Sequence, residues 1–533
     1  MTPQRQCILL VIALLAICLS VPGCLKVGPN FNKPEAPISS NWLESTDERV
    51  KNEPANYRAW WEGFGDQALN VIIERAYREN TSLKIAAVRV LEARAQLGIS
   101  VGKLYPQTQQ FNPSVTFNRF SSYSFSAAGS TASSVPVQNS FWQDQLNLNV
   151  AWELDFWGKY RRGVESADAT LRSTVADYDS ALVTLTADAA NSYIQIRALE
   201  KRLAIARENL ETQKESLRIA ETRFEGGTTS ERDVQQAKSQ LFNTQATIPV
   251  FEAQLRQSKD ALSVLLGIPP DNLTDILTGP SEIPNPAPYV AIGIPSDLLR
   301  RRPDVRSAEL QAAAQCAQIG VAKADLFPAF SLGGFFGPQA TTVATSDLAK
   351  MFSILKAAST TMGPSVQWNF LNYGRITNNV RAQDARFQEL LLSYKNTVLR
   401  AQQEVEDALA GFLRYQENAE SLALSAAAAK RSLDLAFIQY SQGSTDFTTV
   451  LVAQQALLNV QDNLATAMGN ISTNLVGIYR ALGGGWEIRQ GEEILSPEIK
   501  EVMARRTNWG SLLSPCGYMP PPCNQSDIRK PDW

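Results

Sequence analysis

The sequence predicts a mixed but mostly α-helical protein, in which long helical hairpins carry β-hairpins and the whole plan is written twice by internal tandem duplication. Three observations carry this reading. AQLGISVGKLYP at residues 95–106 returns as AQIGVAKADLFP at 317–328, an offset of 222. WELDFWGKYR from Trp152 returns as WNFLNYGRIT from Trp368, an offset of 216 that then holds without a gap, so that Tyr178 meets Tyr394. Between Val164 and Glu225 there is neither Gly nor Pro, which as continuous helix is roughly 90 Å at ~1.5 Å per residue. Two copies are too few for a stacked solenoid, so the halves are expected to form one pseudo-symmetric body.

The elements follow in order. Residues 1–23 read as a secretory signal peptide: MTPQRQ is short and cationic, CILLVIALLAICL is apolar, and SVPGC offers a small-residue exit. The apolar run is too short to span a bilayer. VPGC is similar to a bacterial lipobox, with Gly23 before the cleavage point and Cys24 as lipid acceptor, although Pro22 is atypical there; an ordinary signal with an incidental cysteine is the alternative. Residues 24–56, with four prolines, read as an extended lead-in.

The first repeat spans 57–267. Helix begins near Asp66 and ends at Tyr105-Pro106, because proline cannot continue the backbone ladder and biases its predecessor toward extended geometry. A strand hairpin is expected over 108–156. In its second strand Leu146, Leu148, Val150, Trp152, Leu154 and Phe156 alternate with polar or small residues and so share one face. The long helix follows, with a seam of three- and four-residue spacings from Leu182 to Phe224 broken by Ser192 and Gln213. Gly226-Gly227 ends it, and Ser230 with Asp233 has the spacing of a capping box for the return helix, in which Pro249 predicts a kink.

A proline-rich connector occupies 268–296. The second repeat, 297–484, copies the plan with a strand hairpin over 328–371 and a helical tip near 440–446. Arg300, Arg301, Arg302 and Asp304 read as a helix start with Pro303 in its first turn. Residues 485–533 form a tail without strong periodicity that either wraps the body or moves freely. Cys516 and Cys523 bracket GYMPPP in it, spaced for a disulfide in an oxidising compartment or left as free thiols. Cys316, in an Ala/Gln helical pattern, reads as a small buried residue.

Composition narrows the function classes. The formal charge is −3, with no dominant basic patch, so no nucleic-acid partner is expected. The chain contains no histidine, which removes the commonest general base and metal ligand. No Gly-rich phosphate loop, nucleophile elbow or CxxC pair appears, so no enzyme, cofactor or metal site is expected. Four amphipathic strands in an exported chain cannot close a membrane barrel alone, since bacterial barrels need about eight or more. Pooling strands from several chains solves this.

Trp60, Trp61, Phe64, Asp66 and Leu69, the paired LYP and LFP turns, IPSDLLRRRPDVRSAE at 294–309 and the two hairpin tips resemble the outer membrane factors, TolC/OprM-like channels, of the NodT-type efflux lipoprotein branch. The resemblance covers about residues 24–490. It implies a homotrimer with a twelve-stranded β-barrel in the outer membrane, a periplasmic α-barrel and an equatorial belt packed by Trp60 and Trp61. It further implies a passive conduit exporting drugs or other small molecules, partnered by a periplasmic adaptor, an inner-membrane RND-type transporter and outer-membrane lipids. By position the adaptor-docking tips are Phe224, Gly226, Gly227, Thr228, Tyr440, Gly443, Ser444 and Thr445, residues that equally serve to end helices. Asp233 matches a family aspartate at the tunnel entrance, with the capping role as alternative. Val452 stands where many relatives place an acid, so an apolar constriction replaces the carboxylate ring there. A type I protein-secretion outlet and a non-conducting lipid-anchored periplasmic coiled-coil scaffold are the other readings; the alternation at 145–156 argues against the scaffold.

Overall fold

A computed structural model describes residues 26–51, 53, 56–119, 140–297, 301–343 and 358–514. In chain order its elements are β1 (Val50–Lys51), α1 (Gln67–Glu79), α2 (Thr81–Gly102), β2 (Thr108–Arg119), β3 (Ser140–Leu154), α3 (Lys159–Glu225), α4 (Glu231–Leu265), β4 (Val290–Ala291), α5 (Pro303–Ala324), β5 (Ala329–Val343), β6 (Ala358–Gln367), α6 (Arg375–Ser441), α7 (Phe447–Ala481) and α8 (Pro497–Arg506). Cys24, Cys516 and Cys523 lie outside the described residues.

The duplication is legible in the element lengths. Both α3 and α6 have 67 residues and both α4 and α7 have 35, each pair at offset 216. Helices α2 and α5 have 22 residues each at offset 222. The six-residue difference therefore falls in the first strand hairpin. One hydrogen bond is written twice at the turn between helix and sheet: Trp152 Nε1 donates to Leu104 O and Trp368 Nε1 to Leu326 O, each at 3.1 Å. That contact explains why the repeated motif ends in a turn. The indole locks the strand onto the helix end.

The strands form one antiparallel sheet in the order β2-β3-β5-β6. Below it, α3 is the central helix, packed by α2 and α5 near the sheet and by α4 and α7 further away, while α6 lies against α5 and α7. The main core lies in the middle of the molecule, where Trp60, Trp61, Leu69, Ile72, Tyr193 and Ile196 pack with Phe412, Val476 and Ile478. Trp60 and Trp61 are buried packing residues, and Trp60 stacks on Tyr479 at 5.4 Å between centroids.

Several expectations are corrected. The helix expected from Asp66 to the LYP turn is two helices, because Asn80 leaves helical geometry and its side chain accepts from Leu83 N at 2.8 Å, capping α2. The long helix starts earlier, at Lys159, with Gly158 at φ 78 as its N-cap and Gly163 tolerated inside. Helix α4 stays one helix through Pro249, which is compatible with the expected kink, whereas α6 is continuous through Gly411, where the glycine in the second long helix suggests an interruption. At Gly411 the lack of a side chain admits Asn474 of α7. Trp368 and Phe370 lie just past the end of β6. The connector hides a short parallel pairing, Val50 with Val290 and Lys51 with Ala291. Of the two readings of the tail, its described part takes the first: Trp486, Leu495 and Met503 pack into the main core, and the buried Asp179 of α3 accepts from Arg489, whose Nη2 reaches Oδ2 at 2.8 Å.

The extended lead-in is a strap. It begins beside the sheet, where Val27 N donates to Trp157 O at 3.0 Å, and descends along α5 and α6. Lys33 pairs with Glu309 at 2.6 Å, and Gln402 binds both Pro37 O and Ser39 N. The buried Arg162 holds its upper end by donating to Val27 O, Gly28 O and Asn30 Oδ1. Cys316, buried as expected, faces Pro29. Arg302 caps α5 as a helix-start residue but also bridges to Glu404 of α6 at 2.7 Å and to the end of α7 through Ala481 O.

Candidate channel wall and helical tips

Directly paired residues in an antiparallel sheet point to the same face. One row runs Phe111, Leu148, Phe336; others pair Val150 with Gly334, Trp152 with Leu332, and Phe330 with Val366. That face is apolar, yet Phe111, Leu148, Phe336, Met362 and Val366 are exposed. The opposite face carries Asn112, Ser114 and Thr116 on β2, Asn147 and Asn149 on β3, Ser331 on β5, and Thr361 and Ser365 on β6. Phe335 and Glu153 also lie on this second face, which is otherwise polar and uncharged; an apolar face opposite a mostly polar one is the pattern of a strand with lipid on one side and water on the other. Strands of 12 and 15 residues reach ~40 Å or more at ~3.3 Å per residue, enough to cross a hydrocarbon core at a tilt. Among the described residues no helix is long and apolar enough to cross a membrane.

At the far end of the helices the two tips share one turn. Gly227 and Gly443 take φ of 73° and 75°, where other residues are strained. Thr228 and Ser444 each bind back through both backbone N and hydroxyl, to Arg223 O and Gln439 O respectively, at 2.9 to 3.0 Å. The caps that follow exchange chemistry. In the second hairpin Asp446 is the N-cap and accepts from Thr449 N and Oγ1. In the first, the equivalent Ser230 makes no side-chain cap, and the capping-box expectation is corrected: the buried carboxylate of Asp233 instead accepts from the Thr229 and Ser230 hydroxyls, at 2.5 and 3.3 Å.

The tips are joined by a residue that the sequence reading did not single out. Arg223 donates to Tyr440 O and its guanidinium lies 4.4 Å from the centre of the Tyr440 ring. Tyr440 is buried, packed edge-on against Phe447 at 5.4 Å, and burial pushes its hydroxyl pKa up. Phe224, at the equivalent position, is exposed, as are Thr228 and Ser444. Of the two entrance candidates, Asp233 is buried at 5% exposure and Val452 is 64% exposed. Gly226 and Thr445 complete the turns, with Thr445 Oγ1 2.9 Å from Thr449 Oγ1.

Residues 72–268 and 294–484 match the family described as outer membrane efflux protein, one segment in each repeat. The chain belongs to the outer membrane efflux protein family. Nodulation protein T of Rhizobium leguminosarum bv. viciae is 31% identical over 504 residues, 94% of this chain and 98% of the relative. The pyoverdine export outer membrane protein OpmQ of Pseudomonas putida is 29% identical over 486 residues, covering 91% and 98%. Among solved structures, the outer-membrane channel OprN superposes with a TM-score of 0.77 at 31% identity over 86% of this chain and 99% of that one. The Campylobacter jejuni CmeC outer membrane channel, at 24% identity, shares the fold with a TM-score of 0.74 over 89% and 100%. Outer membrane efflux proteins of this fold are channels, and the two-faced sheet is the part of this member suited to the lipid layer.

Proposed function

We propose that three copies of this chain form a passive conduit through the outer membrane, the outlet of a tripartite RND-type efflux system for small molecules. One observation carries the reading: a four-stranded sheet, mostly apolar on one face and mostly polar on the other, whose outer strands β2 and β6 are unpaired among the described residues. An open sheet cannot rest in lipid, since every backbone polar group there needs a partner. Pairing β6 of one copy with β2 of the next closes the sheet, and the same rotation sets the exposed Leu392, Leu399 and Leu424 of α6 against Ile85 and Ile99 of α2 and Phe242 and Val250 of α4. A head-to-tail contact of this kind closes into a ring.

In the ring, Phe224, Gly226, Gly227 and Thr228, with Tyr440, Gly443, Ser444 and Thr445, form the rim that meets a periplasmic adaptor, which links the tunnel to the inner-membrane transporter. Val452 is free to narrow the entrance as an apolar ring. The Asp233 carboxylate is held by two hydroxyls, so its part there is to fix the tip. The strap begins at the base of the sheet, where Val27 N donates to Trp157 O, and this supports a lipid anchor on Cys24, three residues earlier in the sequence. Small-molecule efflux is favoured over protein secretion because relatives named for pyoverdine export, cation efflux and toluene efflux align over 88 to 91% of the chain.

The test is purification from membranes in mild detergent, followed by mass measurement and single-channel recording. A trimer with small, gated conductance is expected. A monomer without conductance, together with unchanged drug susceptibility on deletion in a host with an intact pump, would sink the reading.

A further inference from the structure

Near the sheet, α5 separates two faces of the helical layer. On one face Glu309, Cys316 and Gly320 meet the strap. Gln311 and Gln318 each stand two residues from one of these contacts, which at ~3.6 residues per turn is roughly 200° around the helix. They therefore occupy the face opposite the strap. A groove of 360 Å³ opens there between α3, α5 and α6, its walls built mainly of serine, threonine and glutamine.

The hydrogen bonds around this groove are arranged in one sense. Gln311 Nε2 donates to Ser307 Oγ at 3.2 Å, Gln318 Nε2 to Ser166 Oγ at 2.8 Å, and Gln315 Nε2 to Gln383 O and Oε1 at 3.1 and 2.9 Å. The Thr170 and Thr174 hydroxyls donate back along α3, to Ser166 O and Thr170 O, both at 2.9 Å. Each of the three lining amides is thus held by its nitrogen, and none of their carbonyl oxygens has a partner among the described residues. Asp177 is the one charged side chain of the described lining. It is exposed and has no cationic partner among the described residues, and Ser307 Oγ donates to its Oδ1, which fixes the carboxylate at the groove.

We propose that this groove binds an organic ammonium group on a solute in transit. An ammonium brings three N–H donors and one positive charge, matching three unpartnered carbonyl oxygens and one carboxylate. A divalent metal ion is a poorer match, because such ions gather several carboxylate and carbonyl oxygens around them and no cluster of acidic, His or Cys side chains among the described residues could hold one. With the strap and its lipid anchor outside the ring, the groove faces the tunnel. It is complete within each chain and repeats three times. The placement rests on the conduit proposed above and names a class of its cargo.

The test titrates dansylcadaverine, a primary ammonium on a fluorescent tag, into the full-length purified protein in mild detergent, read by anisotropy. Losing the charge on either side is expected to weaken binding about tenfold. Asp177→Asn removes it from the protein while keeping an acceptor for Ser307. N-acetylated dansylcadaverine removes it from the probe and needs no variant. In single-channel recordings dansylcadaverine is expected to reduce the current of the parent but not of Asp177→Asn. A conducting trimer that binds the amine and its acetylated form equally overturns this inference and leaves the conduit intact. Binding that depends on Asp177 without any reduction of current places the groove outside the tunnel, and also overturns it. Failure to isolate a conducting trimer overturns the conduit and the inference with it.

Discussion

Gly28 of the strap crosses directly over Gly320 of α5: a Cβ on Gly320 would lie 2.8 Å from Val27 O and 2.9 Å from the Arg162 side chain, and a Cβ on Gly28 would collide with the Gly320 backbone. Gly28 also takes φ of 96°, so the crossing needs glycine on both sides. Gly320→Ala is expected to lift the upper strap and cost about 1–3 kcal/mol, as overpacking does. Limited proteolysis after Lys26, with a thermal melt, measures it; unchanged protection would show that the crossing is not a constraint.

The tail is held by an ion pair at the centre of the molecule. Asp179 is 2% exposed at the side chain and its partner Arg489 14%. Burial pushes the Asp179 pKa up and the Arg489 fork opposes that shift. Arg489→Leu leaves a carboxylate buried without a cation and is expected to destabilise by about 3–5 kcal/mol. A double variant with Asp179→Asn should recover part of the loss in denaturant unfolding.

Arg223→Ala removes the donor to Tyr440 O and the cation from its ring. Hydrogen exchange at residues 439–447 is expected to rise severalfold while the sheet and main core stay protected. In single-channel recordings the open fraction should increase, because this contact ties the two tips of a chain together. Equal exchange in both proteins would exclude Arg223 as the link.

The two faces of the sheet predict opposite tolerance. Leu148→Lys puts a charge on the apolar face and is expected to cost about 2–4 kcal/mol at mid-depth, seen as lost outer-membrane trimer on a gel. Asn149→Lys, one residue on and facing the polar side, should assemble normally. The reverse ranking would invert the assignment of lipid and water.

Acid should loosen the strap. The hydrogen bond from Arg49 holds Asp47 down to a pKa of about 2, against the ordinary 3.8. A depressed carboxylate stabilises fully above its unfolded pKa and loses that contribution as pH falls through the folded one, here from about pH 4 to pH 2. Arg49 also reaches Leu413 O and Glu417 of α6, so the loss acts on the strap contact with that helix. With the side chains partly exposed the effect is ~1 kcal/mol or less. Asp47→Asn should flatten this part of the pH profile of strap proteolysis.

By itself the sequence determined the local plan. Alternation from Leu146 to Leu154 specified a two-faced strand, the uninterrupted run to Glu225 a long helix, and Gly227 and Gly443 the tips, because period, breakers and positive φ are properties of short stretches. Tertiary structure decided what depends on contacts between distant residues. The Arg223 link to Tyr440, the strap crossing at Gly320, the pairing of Val50 with Val290 and the packing of the half-buried Trp486 and Arg489 join segments that no local pattern connects. Asp233 shows the boundary most plainly. Its spacing from Ser230 was visible, but whether the Ser230 hydroxyl would cap the helix or donate to the Asp233 carboxylate depended on the three-dimensional course of the turn.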